Sequence, residues 1–140
     1  MKIARLILAI ALLIPFISCN AQPPNKEVSG SSSDKIEAYY FHFTARCVTC
    51  RTIEAKAKEN LENLYPIQMK QGLITFQSIN LEEASSKSLA EKLGVSGQTL
   101  LLVKGDQKIN LTNEGFMYAV AKPEKFKEII NEKVDGLLIK

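Results

Sequence analysis

Apolar residues recur along the chain in patterns that predict alternating strands and helices. Residues 36 to 43 are rich in aromatic and β-favouring side chains, which predicts a strand. From residue 47 to residue 64 the apolar positions are spaced four, four and three apart, as on one face of an α-helix. These inward-facing positions are Ile53, Ala57, Leu61 and Leu64. Pro66 is expected to end this helix.

The rest of the chain continues the alternation. The predicted elements are a strand over residues 73 to 79, a short helix ending at Leu93, a strand over residues 99 to 104, an edge strand over residues 107 to 111 and a helix from Pro123. Gly94 is expected to cap the short helix, and the unbroken apolar run at 99 to 104 indicates burial on both faces. Residues 113 to 121 are ambiguous, and a helical turn is one interpretation of them. The order β-α-β-α-β-β-α predicts two crossovers between parallel strands and then an antiparallel hairpin.

The N-terminal segment has the features of an export signal. An apolar run over residues 3 to 17, preceded by Lys2, is typical of a secretory signal and is too short to span a membrane. Phe16-Ile17-Ser18-Cys19 resembles a bacterial lipobox, in which Cys19 is lipidated and becomes the mature N-terminus. Cleavage after Ala21 is the alternative, in which Cys19 is discarded. We expect residues 1 to 19 to be a signal peptide of the lipoprotein type.

A polar segment separates this signal from the folded part of the chain. Residues 20 to 35 are rich in Ser and Pro and contain too few apolar side chains to order themselves, which predicts a flexible tether. Residues 36 to 140 then form one domain. The net charge of +3 falls to +1 without Lys2 and Arg5, because no acidic residue precedes Cys19. No basic cluster indicates nucleic-acid binding, and no second long apolar run predicts a membrane span.

Two neighbouring cysteines carry the candidate chemistry. With Cys19 removed or lipidated, Cys47 and Cys50 are the cysteines that remain. A bridge between them closes almost no loop, so it adds little stability and is more typical of a redox-active pair than of a structural one. Cys47 falls at the start of a helix, where backbone N–H groups and the helix dipole stabilise a thiolate, while Cys50 lies on the inward face. Arg46 and Arg51 add positive charge.

The element order, with a CxxC pair at the start of the first long helix, resembles the thioredoxin fold over residues 36 to 140. The approach to the third strand, Leu93-Gly94-Val95-Ser96-Gly97, is also similar to that family. The resemblance implies an α/β, three-layer fold with a central mixed four-stranded sheet flanked by helices. It also implies that Cys47 attacks a substrate disulfide and that Cys50 resolves the mixed disulfide. No cofactor is then expected beyond the redox-active disulfide itself.

The chain departs from the thioredoxin pattern around the cysteines. The proline that usually precedes the third strand is absent, and Gln98 stands in its place, where its amide is expected to assist docking. Phe41 aligns with the buried acid of the first strand. Arg46 replaces a tryptophan, and Val48-Thr49 replaces Gly-Pro. Thr49 is expected either to bond the thiolate or to cap the helix.

Metal binding is the main alternative use of the cysteines. Structural zinc requires four ligands, more than Cys47, Cys50 and His42, the single histidine, provide. His42 is expected to be a satisfied strand residue. Cu(I) accepts two thiolates, so a metal-delivery domain using Cys47 and Cys50 stays open. A thioredoxin-like binding module without turnover is a further alternative.

The sequence thus predicts a bacterial thiol-disulfide oxidoreductase, exported to the periplasm or cell envelope. It is expected to be a monomer that contacts the membrane only through a lipid anchor on Cys19. The expected partners are envelope proteins with thiols or disulfides, and a membrane redox donor or acceptor. No nucleic-acid partner is expected.

Overall fold

The computed structural model of the protein describes residues 34 to 139, in which four strands form one sheet. The strands are β1 (Ile36–His42), β2 (Ile74–Asn80), β3 (Thr99–Lys104) and β4 (Gln107–Asn110). The helices are α1 (Val48–Leu64), α2 (Pro66–Lys70), α3 (Lys87–Leu93), α4 (Thr112–Tyr118) and α5 (Pro123–Leu138), with a 3₁₀ turn at Ala84–Ser86. None of the helices between residues 34 and 139 has both the length and the apolarity needed to span a bilayer. The predicted signal peptide, Cys19 and most of the predicted tether lie outside the described residues.

The sheet has the strand order β2-β1-β3-β4 and mixes parallel and antiparallel pairs. Strands β1 and β2 are parallel, and β3 and β4 form the predicted antiparallel hairpin. The sheet lies between helices, as the thioredoxin-like three-layer architecture requires, so the predicted fold class is confirmed. One prediction about the sheet is wrong: the second crossover does not give a parallel strand, because β3 runs antiparallel to β1.

Strand β3 begins at the end of the sheet at which β2 finishes. The connection between the two strands contains the 3₁₀ turn and the seven-residue helix α3. Thr99 opens β3 opposite Phe41 in β1, next to the pairing of His42 with Asn80 at the end of β2.

Side chains of β1 alternate between two apolar cores, one on each face of the sheet. Ile36, Ala38 and Tyr40 face the larger core, which α1 and α5 cover with the residues Ile53, Ala57, Leu61, Phe126, Ile130, Val134 and Leu137. Tyr39 and Phe41 face the smaller core, which α3 covers. The third strand is buried at all four of its inner positions, as its unbroken apolar run predicts.

Two short helices go beyond the elements predicted from the sequence. Pro66 ends α1 after Leu64, as expected, but it also begins α2, which was not predicted, because proline suits the first turn of a helix. Residues 113 to 121, for which a helical turn is one interpretation, contribute most of α4. The predicted cap at Gly94 is confirmed: this residue ends α3 in the left-handed conformation, at φ 73°, which glycine adopts without strain.

Candidate active site

Cys47 occupies the N-cap position of α1. Its backbone is extended, with φ −71° and ψ 170°, and its Sγ accepts a hydrogen bond from the Cys50 N–H at 3.4 Å. A cysteine sulfur here does what a serine or aspartate oxygen does at other N-caps, which is to satisfy one of the free N–H groups of the first turn. Because the side chain is exposed, its sulfur is accessible to another protein.

Cys50 lies one turn further along α1 and is buried, with 5% of its surface exposed. The two sulfurs are 2.7 Å apart, and both cysteines are free thiols. A disulfide has a sulfur–sulfur distance of about 2.05 Å, so a small movement closes the bond. The asymmetry predicted from the sequence, with one exposed and one inward-facing sulfur, is present in the structure.

The surroundings of Cys47 favour its thiolate. The contact with the Cys50 side chain, 2.7 Å away, lowers the pKa of the Cys47 thiol below its usual value, and the backbone N–H of Cys50 adds to the effect. The backbone of Thr49 contributes in the same direction. Cys47 itself fills the cap position, so the Thr49 side chain does not cap α1 as one interpretation of the sequence supposed.

A polar network connects Cys50 to the sheet. The Cys50 Sγ donates to Oε1 of Gln98 at 3.3 Å, and Gln98 Nε2 donates to the Tyr40 hydroxyl. The Tyr40 hydroxyl in turn donates to the backbone carbonyl of Cys50 at 2.8 Å. Gln98 immediately precedes β3, and Tyr40 lies within β1. The three residues thus form a closed ring of hydrogen bonds beneath the start of α1.

Tyr40 is the site residue that the sequence reasoning missed. The alignment with thioredoxins places Phe41 where the family has its buried acid, but Phe41 faces the smaller core on the opposite side of the sheet. The first-strand side chain that reaches Cys50 is Tyr40, and burial raises the pKa of its hydroxyl to about 12. A buried tyrosine hydroxyl usually has a hydrogen-bond partner, so the tyrosines of β1 could have been considered as candidates for a polar contact near the cysteines.

Arg46, which is expected to add positive charge beside the cysteines, forms an ion pair in the structure. Its Nη1 donates to the Glu54 carboxylate, and the two side chains form a half-buried ion pair beside the first turn of α1. Nη1 of Arg51 donates to the backbone carbonyl of Arg46 at 3.1 Å. These contacts hold the loop before Cys47 against the helix.

His42 lies inside the structure and has a hydrogen-bond partner. It is buried, its Nδ1 donates to the Phe43 carbonyl at 2.9 Å, and its ring stacks on that of Tyr40. It is therefore a satisfied strand histidine, as expected. Between residues 34 and 139, no three or more His, Cys, Asp or Glu side chains are grouped so that they could hold a metal ion.

The sheet order, the strand directions and the helices on both faces give this chain a thioredoxin-like fold, with the CxxC pair at the N-terminus of its first helix. No protein-family model and no curated protein matches the sequence. Among solved structures, the chain is similar to thioredoxin O2 from Arabidopsis thaliana in its oxidised state, with 23% identity, a TM-score of 0.46 and coverage of 71% of this chain and 75% of that chain. It is also similar to the germline-specific thioredoxin Deadhead from Drosophila melanogaster, with 16% identity, a TM-score of 0.45 and coverage of 72% and 83%.

Proposed function

We propose that this protein is a thiol-disulfide oxidoreductase in which Cys47 is the attacking thiol and Cys50 the resolving thiol. The observation that carries the proposal is the asymmetry of the pair. The sulfur with the lowered pKa is exposed at a helix N-terminus, and its neighbour, 2.7 Å away, is buried. An attacking thiol has to be ionised and accessible, whereas a resolving thiol has to reach only its partner.

The proposed cycle exchanges two electrons and two protons with a client disulfide. The Cys47 thiolate attacks one client sulfur, the client disulfide breaks, and the other client sulfur leaves as a thiolate. Cys50 then attacks the sulfur of Cys47, the mixed disulfide breaks, and the second client sulfur leaves. The client is reduced to two thiols and the protein is oxidised to the Cys47–Cys50 disulfide. Run in reverse, the same steps oxidise a client dithiol.

We place this chemistry in the bacterial cell envelope. The support is the sequence of residues 1 to 35, which has the features of a lipoprotein signal followed by a flexible tether. A lipid on Cys19 then holds a monomeric domain at the membrane surface. The partners are envelope proteins with thiols or disulfides, together with a membrane redox donor or acceptor. Labelling with a radioactive fatty acid, compared between wild type and Cys19→Ser, tests the anchor.

The cysteine roles are tested by single substitutions in the two positions. Cys47→Ser is expected to abolish reduction of a model disulfide such as insulin, because the attacking thiolate is lost. Cys50→Ser is expected to trap a client on Cys47 as a mixed disulfide that reducing agent releases. Cys19→Ser, used as the control, retains reduction of the model disulfide, because Cys47 and Cys50 are both present. If Cys50→Ser traps no partner in envelope extracts while wild type is active, the assignment of roles is wrong.

The direction of exchange is measured separately, by equilibrating the protein with glutathione buffers and trapping free thiols. A reduction potential near −270 mV, the value of thioredoxin, identifies a reductant, and one near −120 mV identifies an oxidant. A pair that forms no reversible disulfide contradicts the proposal. Cu(I) titration of the same protein is then the next measurement, because two thiolates suffice for that ion.

A further inference from the structure

Gln98 places a side-chain amide against the buried sulfur of Cys50. Its Oε1 accepts from Cys50 Sγ at 3.3 Å while its Nε2 donates to the hydroxyl of Tyr40. This orientation suits a protonated Cys50, because a thiol has a hydrogen to donate and an amide oxygen accepts it. The network is therefore arranged for the resting, reduced state of the protein.

The same orientation opposes the next chemical step. The resolving sulfur attacks as a thiolate, which has no hydrogen to donate and requires a donor of its own. An amide oxygen placed 3.3 Å from that anion repels it. Rotation of the amide by about 180° about its last side-chain torsion exchanges oxygen and nitrogen with almost no change in the space they occupy. After this rotation, the NH₂ group faces the sulfur.

Tyr40 can accompany this rotation because a hydroxyl both donates and accepts. With the amide in its resting orientation, the hydroxyl accepts from Gln98 Nε2 and donates to the Cys50 carbonyl at 2.8 Å. With the amide reversed, the hydroxyl donates to Gln98 Oε1 instead. The Cys50 carbonyl still has the helical N–H of Glu54, four residues on, as a partner. Both orientations therefore leave the buried polar groups paired, as burial demands.

We propose that Gln98 is a catalytic residue that works as an amide switch, with its oxygen holding Cys50 as a thiol at rest and its NH₂ stabilising the Cys50 thiolate during resolution. Tyr40 is a positioning residue that anchors the amide in either orientation. The inference rests on the proposed oxidoreductase function and specifies how its second step proceeds. The sulfur–amide contact replaces assistance from a buried acid, since the side chain beneath Cys50 is Tyr40.

The proton balance needs no additional acid or base. The first exchange step releases a client thiolate beside Cys47, and this thiolate takes the proton of Cys50 as the amide turns. Cys50 then attacks Cys47, and the second client thiolate takes up the proton that Cys47 gave up at the start. The ionisable groups around Cys50 are Cys47, Tyr40 and the Arg46–Glu54 pair. Burial raises the pKa of Tyr40 to about 12, so this hydroxyl stays protonated at neutral pH.

Ellman's reagent separates the two steps in one experiment. Attack by Cys47 releases one coloured thiolate, and resolution by Cys50 releases a second from the same molecule. Every protein in this experiment, including the one used as wild type, carries Cys19→Ser, so that only Cys47 and Cys50 react. We expect Gln98→Leu to release the first thiolate at the wild-type rate and the second about tenfold more slowly at pH 7. This is the change in thiolate fraction that a rise of one pKa unit produces.

Two further variants distinguish the switch from simple packing. Gln98→Glu retains the shape and an accepting oxygen but has no NH₂, so we expect its second release to be at least as slow as that of Gln98→Leu, with its pH midpoint raised. Tyr40→Phe is expected to slow the second release by less. Gln71→Glu is the matched control, because it places the same charge on an exposed residue directly after α2 and should change neither release.

The outcomes separate this inference from the proposed function. If wild type releases only one thiolate, Cys50 does not resolve, and the oxidoreductase mechanism itself is wrong. If wild type releases two, and Gln98→Leu and Gln98→Glu release the second with the wild-type rate and pH midpoint, the function stands and the amide switch is refuted. A slow second release from Gln98→Leu with a normal one from Gln98→Glu also refutes it, since the NH₂ group would then be dispensable.

Discussion

Gly115 in α4 lies directly against Ile53 in α1, and this contact determines whether Gly115→Ala raises or lowers the free energy of unfolding. A Cβ at position 115 would lie 2.8 Å from Ile53 Cγ2 and 3.5 Å from its Cγ1. Carbon atoms in contact are normally about 3.5–4.0 Å apart, so the first distance is too short. Ile53 is β-branched and has one strongly preferred rotamer in a helix, so Cγ2 cannot swing away. Gly115→Ala therefore has to displace α4 or strain Ile53.

Two opposing effects set the size of the change. Replacing glycine by alanine inside a helix normally stabilises a protein by about 0.5–1 kcal/mol, because the unfolded chain loses freedom. Overpacking a core by one carbon costs about 1–3 kcal/mol. We expect the clash to prevail, and Gly115→Ala to lower the free energy of unfolding by about 0.5–2 kcal/mol.

Gly136 in α5 supplies the matched control. It is exposed, and a Cβ added there meets no heavy atom within 4 Å. Gly136→Ala is therefore expected to raise the free energy of unfolding by about 0.5–1 kcal/mol. Both variants and wild type are compared by urea unfolding followed by circular dichroism. Equal m-values in the three proteins show that stability, rather than the extent of unfolding, has changed.

A third measurement tests whether the contact with Ile53 causes the loss of stability expected for Gly115→Ala. Ile53→Ala removes the clashing atoms and costs stability on its own, about 2–5 kcal/mol. In that background Gly115→Ala is expected to become stabilising, so the two substitutions should be strongly non-additive. If Gly115→Ala instead stabilises the wild-type background as much as Gly136→Ala does, the close packing of α4 on α1 described here is refuted.

Three further predictions concern ionisation and the attachment of α1 to α5. Because contacts with Cys50 lower the pKa of the Cys47 thiol, the rate of its alkylation by iodoacetamide, followed by peptide mass mapping, is expected to have a midpoint below the usual value near 8.5. Cys50→Ala should raise that midpoint, and a wild-type midpoint equal to that of the urea-unfolded protein contradicts the explanation. Tyr65→Phe removes a hydrogen bond of 2.7 Å to Asp135 and should lower the free energy of unfolding by about 1–3 kcal/mol in urea melts; a change below experimental error contradicts its structural role. Burial raises the pKa of Tyr40 to about 12 in the folded protein, so the contribution of this hydroxyl to stability is complete below pH 10 and is lost as the pH rises toward 12. In urea melts between pH 10 and pH 12, Tyr40→Phe should therefore lose less free energy of unfolding than wild type. An equal loss in the two proteins refutes the assignment.

The parts of the fold that were predictable from the sequence are those with a long or unbroken local pattern. The inward face of α1 repeats over 17 residues, and the four inner residues of β3 are all apolar, so each pattern predicts burial without reference to the rest of the chain. Helices α2 and α4 have only five and seven residues. Such lengths show less than two full turns of periodicity, and what specifies these helices is packing, such as the close contact of Gly115 with Ile53.

The candidate active site also has a part that the local sequence predicts and a part that it does not. Cys47 and Cys50 are three residues apart at the start of one helix, so their proximity and unequal exposure follow from helical geometry alone. The contact between Cys50 and Tyr40 spans ten residues, and the contact between Cys50 and Gln98 spans 48. Contacts of this kind depend on strand register and direction. A shift of one residue in β1 exchanges the two faces of the strand, so the register decides whether Tyr40 or Phe41 lies beneath Cys50.

The direction of β3 is the feature that completes the site. Strand β1 ends and α1 begins at one end of the sheet, so Cys47 and Cys50 are placed there by the first connection. If β3 ran parallel to β1, as the order of elements predicts, its first residue would lie at the opposite end, about 20 Å away for a strand of six residues. Gln98 could not then reach Cys50. Because β3 runs antiparallel to β1, it starts beside the end of β1. The strand direction that makes the parallel prediction wrong thus brings an amide to the buried sulfur, and the polar network beneath Cys50 depends on this topology.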